Sequence, residues 1–188
     1  HATIRRQRQM CIRDRLSRQT KLLTCRSFTH QDIIPDRFSY HAGKTVSTAS
    51  AVPFITTNSP FSYTSPKNVG SGHFDGTNDG IFTSTDSDFA FGTGNFTFEA
   101  WVYPKTAITS GTKVILDLRY SNNPNGDNLS ALVWTGQRLD NYSAGSFSSD
   151  TDLARFFHEG TWNHICVQRI GNVLYHSVNG YMSCLLYT

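Results

Sequence analysis

Glutamate is almost missing from this chain. The 188 residues hold two, Glu99 and Glu159, and neither has a carboxylate two residues away. β-Sandwich hydrolases set their carboxylates on alternate residues of one strand, as E-x-D-x-x-E, and glycoside hydrolysis needs a pair about 5 to 10 Å apart. The chain is therefore expected to be a non-enzyme, with a glycoside hydrolase as the less favoured alternative. No G-x-S-x-G elbow occurs, so the matching acyl-transfer site is absent too. No run of about 18 apolar residues exists, and no membrane span is expected. Helical periodicity is equally scarce. The best candidate, DLARFFHEG at 152–160, amounts to one or two turns. Cysteine is sparse: Cys11, Cys25, Cys166 and Cys184 stand far apart without the His spacing of a zinc site.

Charge is scattered except in one place. RRQRQMCIRDR, residues 5–15, carries five arginines. A basic arm would neutralise phosphates, and a targeting peptide would need an apolar stretch that is not there. A third reading fits both ends. A transposase-type sequencing-library adapter, translated in this frame, gives these eleven residues without a gap, and its inverted mosaic end gives CLLYT, Cys184 to Thr188. Residues 1–15 and 184–188 are therefore expected to be adapter-derived, leaving 16–183 as one domain. CLLYT is apolar and able to continue a strand by accident. These two ends hold five of the 17 basic residues and one of the 14 acidic ones, so net charge becomes −1 in place of +3. No nucleic-acid partner is expected. Cys25 and Cys166 are then either one disulfide or two buried thiols.

What the chain does contain is Phe, Tyr, Thr, Ser, Asn and Gly, with turn residues between short β-prone runs. This pattern predicts an all-β sandwich or barrel. The strand candidates are KLLTC (21–25), GHFDG (72–76), GIFTS (80–84), NFTFEAWVYP (95–104), TKVILDLRY (112–120), LSALVWTG (129–136) and RLDNYSAG (138–145). TWNHICVQRIG (161–171) and NVLYHSVNG (172–180) form a hairpin over a Gly-Asn turn. Residues 26–70 are less regular, and PFITTNSPFSYTSP (53–66) reads as a loop or edge segment. Along NFTFEAWVYP, Phe96, Phe98, Ala100 and Val102 alternate with Thr97, Glu99, Trp101 and Tyr103. Large side chains on both faces predict a central strand covered on both sides, with Trp101 and Trp162 in the core.

FDGTNDGIF, FAFGTGNFTFEAWV and WNHICVQRIGNVLYHSVNG, in that order, resemble the laminin-G-like, concanavalin A-like domains of phage and bacterial surface proteins. KLLTC is similar to the group's first strand. The resemblance runs over about residues 20–181. It departs at Gly80, where an aromatic is usual, and at Asn95, where Asp is usual. It implies a two-sheet antiparallel jelly roll. The group's last strands would follow the turn at 179–180, so the domain is expected to lack its C-terminal strands.

Sugar recognition uses aromatic faces against pyranose rings, with polar side chains on the hydroxyls. Trp134, Tyr142, Tyr120 and Arg138, in or next to loops, are the candidates. Some relatives bind calcium in rim loops; Asp75, Asp79 and Asp127 are the candidate ligands, against a reading in which Asp75 and Asp79 cap turns through backbone amides. His164 reads as a packed structural residue. Three sequons, at Asn95, Asn128 and Asn141, matter only in a eukaryotic secretory pathway. The expected function is a non-catalytic module that recognises a glycan or a cell-surface protein. Its setting would be a larger phage structural or surface protein, at the virion or extracellular surface, with a trimeric fibre as the candidate assembly. The rival is a spacer module without ligand.

Overall fold

The structure is a computed structural model that describes residues 46–48, 54–56, 71–83, 87–92, 94–117, 131–135, 138–143 and 146–186. These residues are strand-rich, every pairing is antiparallel, and the described residues hold no α-helix. DLARFFHEG contributes one 3₁₀ turn, Ala154–Phe156, as its length implied. The chain divides into two compact units between Phe89 and Ala90.

Among the described residues, the unit ending at Phe89 holds four short strands: β1 (Val46–Thr48), β2 (Phe54–Thr56), β3 (Ser71–His73) and β4 (Ile81–Thr83). β3 pairs with β2, and β4 with β1, in separate two-stranded sheets. β2 lies in the segment expected to be loop or edge, and β1 in the less regular stretch before it. Each is three residues long, too short to show a period. KLLTC lies outside the described residues.

The unit from Ala90 onward holds two four-stranded sheets. One runs β12–β11–β10–β5, built from β5 (Phe96–Val102), β10 (Asn163–Ile170), β11 (Val173–Val178) and β12 (Tyr181–Leu186). The other runs β6–β7–β8–β9, from β6 (Thr112–Asp117), β7 (Ala131–Thr135), β8 (Arg138–Ser143) and β9 (Ser146–Asp150). β9 escaped the sequence reading because SFSSD carries one large apolar residue, Phe147, among serines and an aspartate. The β10–β11 hairpin closes over Gly171–Asn172, with Gly171 at φ 59°. Val178 pairs with Tyr181 across Asn179–Gly180, at φ 53° and 85°. Positive φ at both central residues is the type I′ geometry that Asn-Gly favours. Beyond that turn β12 continues through Leu186 against β11, so the CLLYT stretch does enter a strand.

Period two sorts β10 and β11 cleanly. Asn163, Ile165, Val167 and Arg169 are buried, as are Leu174, His176 and Val178. With Phe96, Leu153 and Leu139 of β8 they make one core, to which both four-stranded sheets contribute. Each fully buried aliphatic here stabilises by about 1.5–3 kcal/mol. One expectation fails. β5 is the outermost strand of its sheet among the described residues, not a central one. Its other face is open: Trp101 is 40% exposed and Tyr103 37%. Trp162 is only half-buried. Alternation of two bulky faces looks the same whether the second face meets protein or solvent.

Candidate functional site

The open face of the β5–β10–β11–β12 sheet is assembled by register. β5 supplies Thr97, Glu99 and Trp101, which stand opposite Gln168, Cys166 and His164 of β10. The Trp101 and His164 rings lie 4.9 Å apart at 47°, and Tyr103 meets Trp162 edge-on at 5.4 Å. Gln168 Nε2 donates to Thr97 Oγ1 at 3.2 Å, and the Cys166 thiol donates to Glu99 Oε1 at 3.8 Å. Four aromatic rings, a carboxylate, an amide and a hydroxyl therefore share one strand face. Cys166 is a free thiol, half-buried; Cys25 lies outside the described residues.

His164 sits at the centre of this face. Burial holds its pKa below the ordinary 6.5, with Glu99 pulling the other way. The unfolded chain therefore takes up the proton more readily than the folded one. The contribution of His164 to stability is complete above about pH 6.5 and is lost as pH falls below it. Melting temperature is expected to drop between pH 7.5 and pH 5.5, and His164→Gln is expected to flatten that slope in calorimetry. An unchanged slope would remove His164 from this role.

Two buried polar side chains fix this face from behind. Arg169 is 4% exposed, and its guanidinium lies 5.4 Å from the Phe96 ring centre. It donates from Nε to the Gly94 carbonyl at 2.8 Å, and from Nη2 to the carbonyls of Gly92, at 2.6 Å, and Gly94. Phe91 stacks on Phe96 at 4.5 Å. Asn95 Oδ1 accepts the Gly171 amide at 2.9 Å. The FGTGN turn at the start of β5 is thereby bolted to the end of β10. At the other end, Asn163 is fully buried. Its Nδ2 donates to the carbonyls of His158 (2.7 Å) and Thr161 (3.0 Å), and its Oδ1 accepts from the His158 amide (2.9 Å) and Asn179 Nδ2 (3.0 Å). Asn179 also donates to the Phe156 carbonyl at 2.7 Å and accepts the His164 amide at 2.9 Å.

The residues picked from sequence fall elsewhere. Trp134 is in β7, opposite Leu139, and Tyr142 is in β8, opposite Ala131 and Phe147. Arg138 opens β8. By strand alternation Arg138 and Asp140 share one face of β8 and Leu139 takes the other. Arg138 Nε reaches both carboxylate oxygens of Asp140, at 3.0 and 3.1 Å, and Asp140 is 1% exposed. Tyr120 and Asp127 lie outside the described residues. Asp75 Oδ1 accepts from the amides of Thr77 (2.7 Å) and Asn78 (3.4 Å), and Asp79 Oδ2 accepts from the Asp75 amide (2.8 Å). The Thr77 amide is the main reason that the Asp75 carboxyl is held below its ordinary pKa of 3.8. Both carboxylates serve the turn's own backbone. Among the described residues no group of three or more His, Cys, Asp or Glu is arranged to hold a metal, and no helix is long and apolar enough to cross a membrane.

The outer-face aromatics were legible only as a strand. Nothing in NFTFEAWVYP or TWNHICVQRIG separates a stacked surface from a second core. A family model described as the concanavalin A-like lectin/glucanases superfamily matches residues 75–184. No curated protein and no solved structure matches the chain.

Proposed function

The chain belongs to the concanavalin A-like lectin/glucanases superfamily, and from that premise we propose that it is a non-catalytic module that binds a glycan through the open face of β5 and β10. The fold type is that of a carbohydrate- or protein-binding module. The observation that carries the finer reading is the pairing of two exposed rings with two half-buried ones, Trp101 with His164 and Tyr103 with Trp162, beside the hydrogen-bonding groups of Glu99, Gln168 and Thr97. Rings of this kind stack on the apolar faces of pyranoses while the carboxylate and amide bind hydroxyls. The face is built from strands whose backbone is fixed, so little ordering accompanies binding. The module belongs to a larger phage structural or surface protein in this reading, displayed at the virion or extracellular surface.

A glycan array separates this from the spacer reading. The wild-type chain is expected to bind a defined subset of glycans. Trp101→Ala is expected to weaken that binding about tenfold or more, the loss of one stacking platform being worth about 1.4 kcal/mol or more. Its melting temperature should change little, because Trp101 is 40% exposed. Absence of any array signal, with and without calcium, favours the spacer.

A further inference from the structure

Pro104 lies two residues past the end of β5 and one past Tyr103 of the aromatic face, and there the surface opens into a cleft of about 630 Å³. That volume falls within the range of about 300–1,000 Å³ usual for small-molecule sites. Ile108, Ala154 and Phe157 give it apolar lining, and Thr106, Arg155 and Glu159 give it polar groups.

The cleft is held in place by backbone bonds. The Gly160 amide donates to the Pro104 carbonyl at 2.9 Å, tying its two walls together. The 3₁₀ turn closes through Phe156 N to Leu153 O (3.0 Å) and Phe157 N to Ala154 O (3.1 Å). Buried Asn163 grips both the amide and the carbonyl of His158, which also lines the cleft. The segment carrying Arg155 and Glu159 is thus positioned by a fully buried side chain.

Arg155 lies 4.9 Å from the Phe156 ring centre, and it forms no ion pair with Glu159 or any other described carboxylate. One cation and one anion face the same cleft unpaired, so the cleft offers a five-donor fork and a carboxylate acceptor together. Their charges cancel. A bound anion would meet Glu159, and a bound cation Arg155. A neutral polyhydroxylated ligand satisfies both and lays its apolar face on Ile108 and Phe157.

We propose that this cleft is a second saccharide subsite, selective for a neutral sugar, contiguous in sequence with the aromatic face. It rests on the glycan-binding reading and adds the ligand's charge class and a second contact point.

Titration of the full chain with lactose, maltose, cellobiose and N,N′-diacetylchitobiose tests it, with galacturonate as the acidic comparison. His158 proton resonances report on the cleft and tryptophan fluorescence on the aromatic face. At least one neutral disaccharide is expected to shift the His158 resonances saturably, more tightly than galacturonate. Arg155→Ala and the shape-conserving Glu159→Gln should each weaken that response about tenfold while leaving the melting temperature unchanged. Saturable fluorescence changes that leave His158 unmoved, or His158 shifts that survive both substitutions, overturn the subsite and keep the glycan reading. Tighter binding of galacturonate overturns the charge class. Silence of both reporters to all five probes overturns both.

Discussion

Arg169→Met is expected to destabilise the protein by about 3 kcal/mol. The methionine fills much of the same volume, so the cost comes from polar groups left behind. A hydrogen bond to a charged group contributes about 1.5–3 kcal/mol, and a buried acceptor without a partner costs about 1–3 kcal/mol. Two carbonyls, Gly92 and Gly94, lose the guanidinium that serves them. Both glycines are exposed, so water recovers part of the loss, which keeps the figure below the sum. Contact with the Phe96 ring is lost as well. Arg169→Lys should fall between the two, since an ammonium keeps the charge but not the planar fork that spans two carbonyls. Urea unfolding reads the effect as a shift of the midpoint by more than about 1 M, given a slope of about 1–3 kcal/mol per molar. A loss under about 1 kcal/mol, or a lysine variant equal to wild type, would mean that the turn holds itself.

Asn163→Ala is expected to cost about 3 kcal/mol by a different route. Asn163 is 0% exposed and makes four hydrogen bonds. Its removal leaves two carbonyls, one amide and the Asn179 side chain without their buried partner, and the exposure of His158, Thr161 and Asn179 lets water recover part of the loss. Asn163→Asp sharpens the test. The carboxylate can still accept from the His158 amide, but it cannot donate to the carbonyls of His158 and Thr161, and it sets a charge in a dry site. It should be less stable than the alanine variant at neutral pH and recover as the carboxyl is protonated. Asn179→Gly is the partner for a double-mutant cycle, because glycine tolerates the φ of 53° found there. Coupling of about 1 kcal/mol between Asn163 and Asn179 is expected. Additive losses would show that the two amides act separately.

Strand positions were readable where period two ran over six residues or more. NFTFEAWV and HICVQRI alternate so strictly that the residues sharing each face are legible in the sequence, though not which of the two faces turns inward. Val46–Thr48 and Phe54–Thr56 could not, because three residues carry no period and their partners, Ile81–Thr83 and Ser71–His73, lie some distance along the chain. The site was less legible for a related reason. Trp134, Tyr142 and Arg138 stood out as aromatics and a cation near turns, but proximity in sequence says nothing about the face of a sheet. Trp101, Tyr103, Trp162 and His164 are distant in sequence and are brought together only by the register Trp101↔His164. Arg169 and Asn163 are polar residues on the same face of β10 as Ile165 and Val167. They are buried because the turns they serve expose carbonyls and amides that need partners, which sequence patterning does not display.

Backbone amide mapping tests the central claim most directly. A ¹⁵N-labelled chain titrated with its best array glycan should show shifts at Thr97, Glu99, Trp101 and Tyr103 of the β5 segment and at Trp162, His164, Cys166 and Gln168 around β10. The alternate positions Phe98, Ala100, Val102, Ile165 and Val167, whose side chains face the core, should move least. A period-two footprint on these two strands is the predicted result. A footprint centred on residues 118–130, or on β7 and β8 around Trp134 and Tyr142, would contradict it.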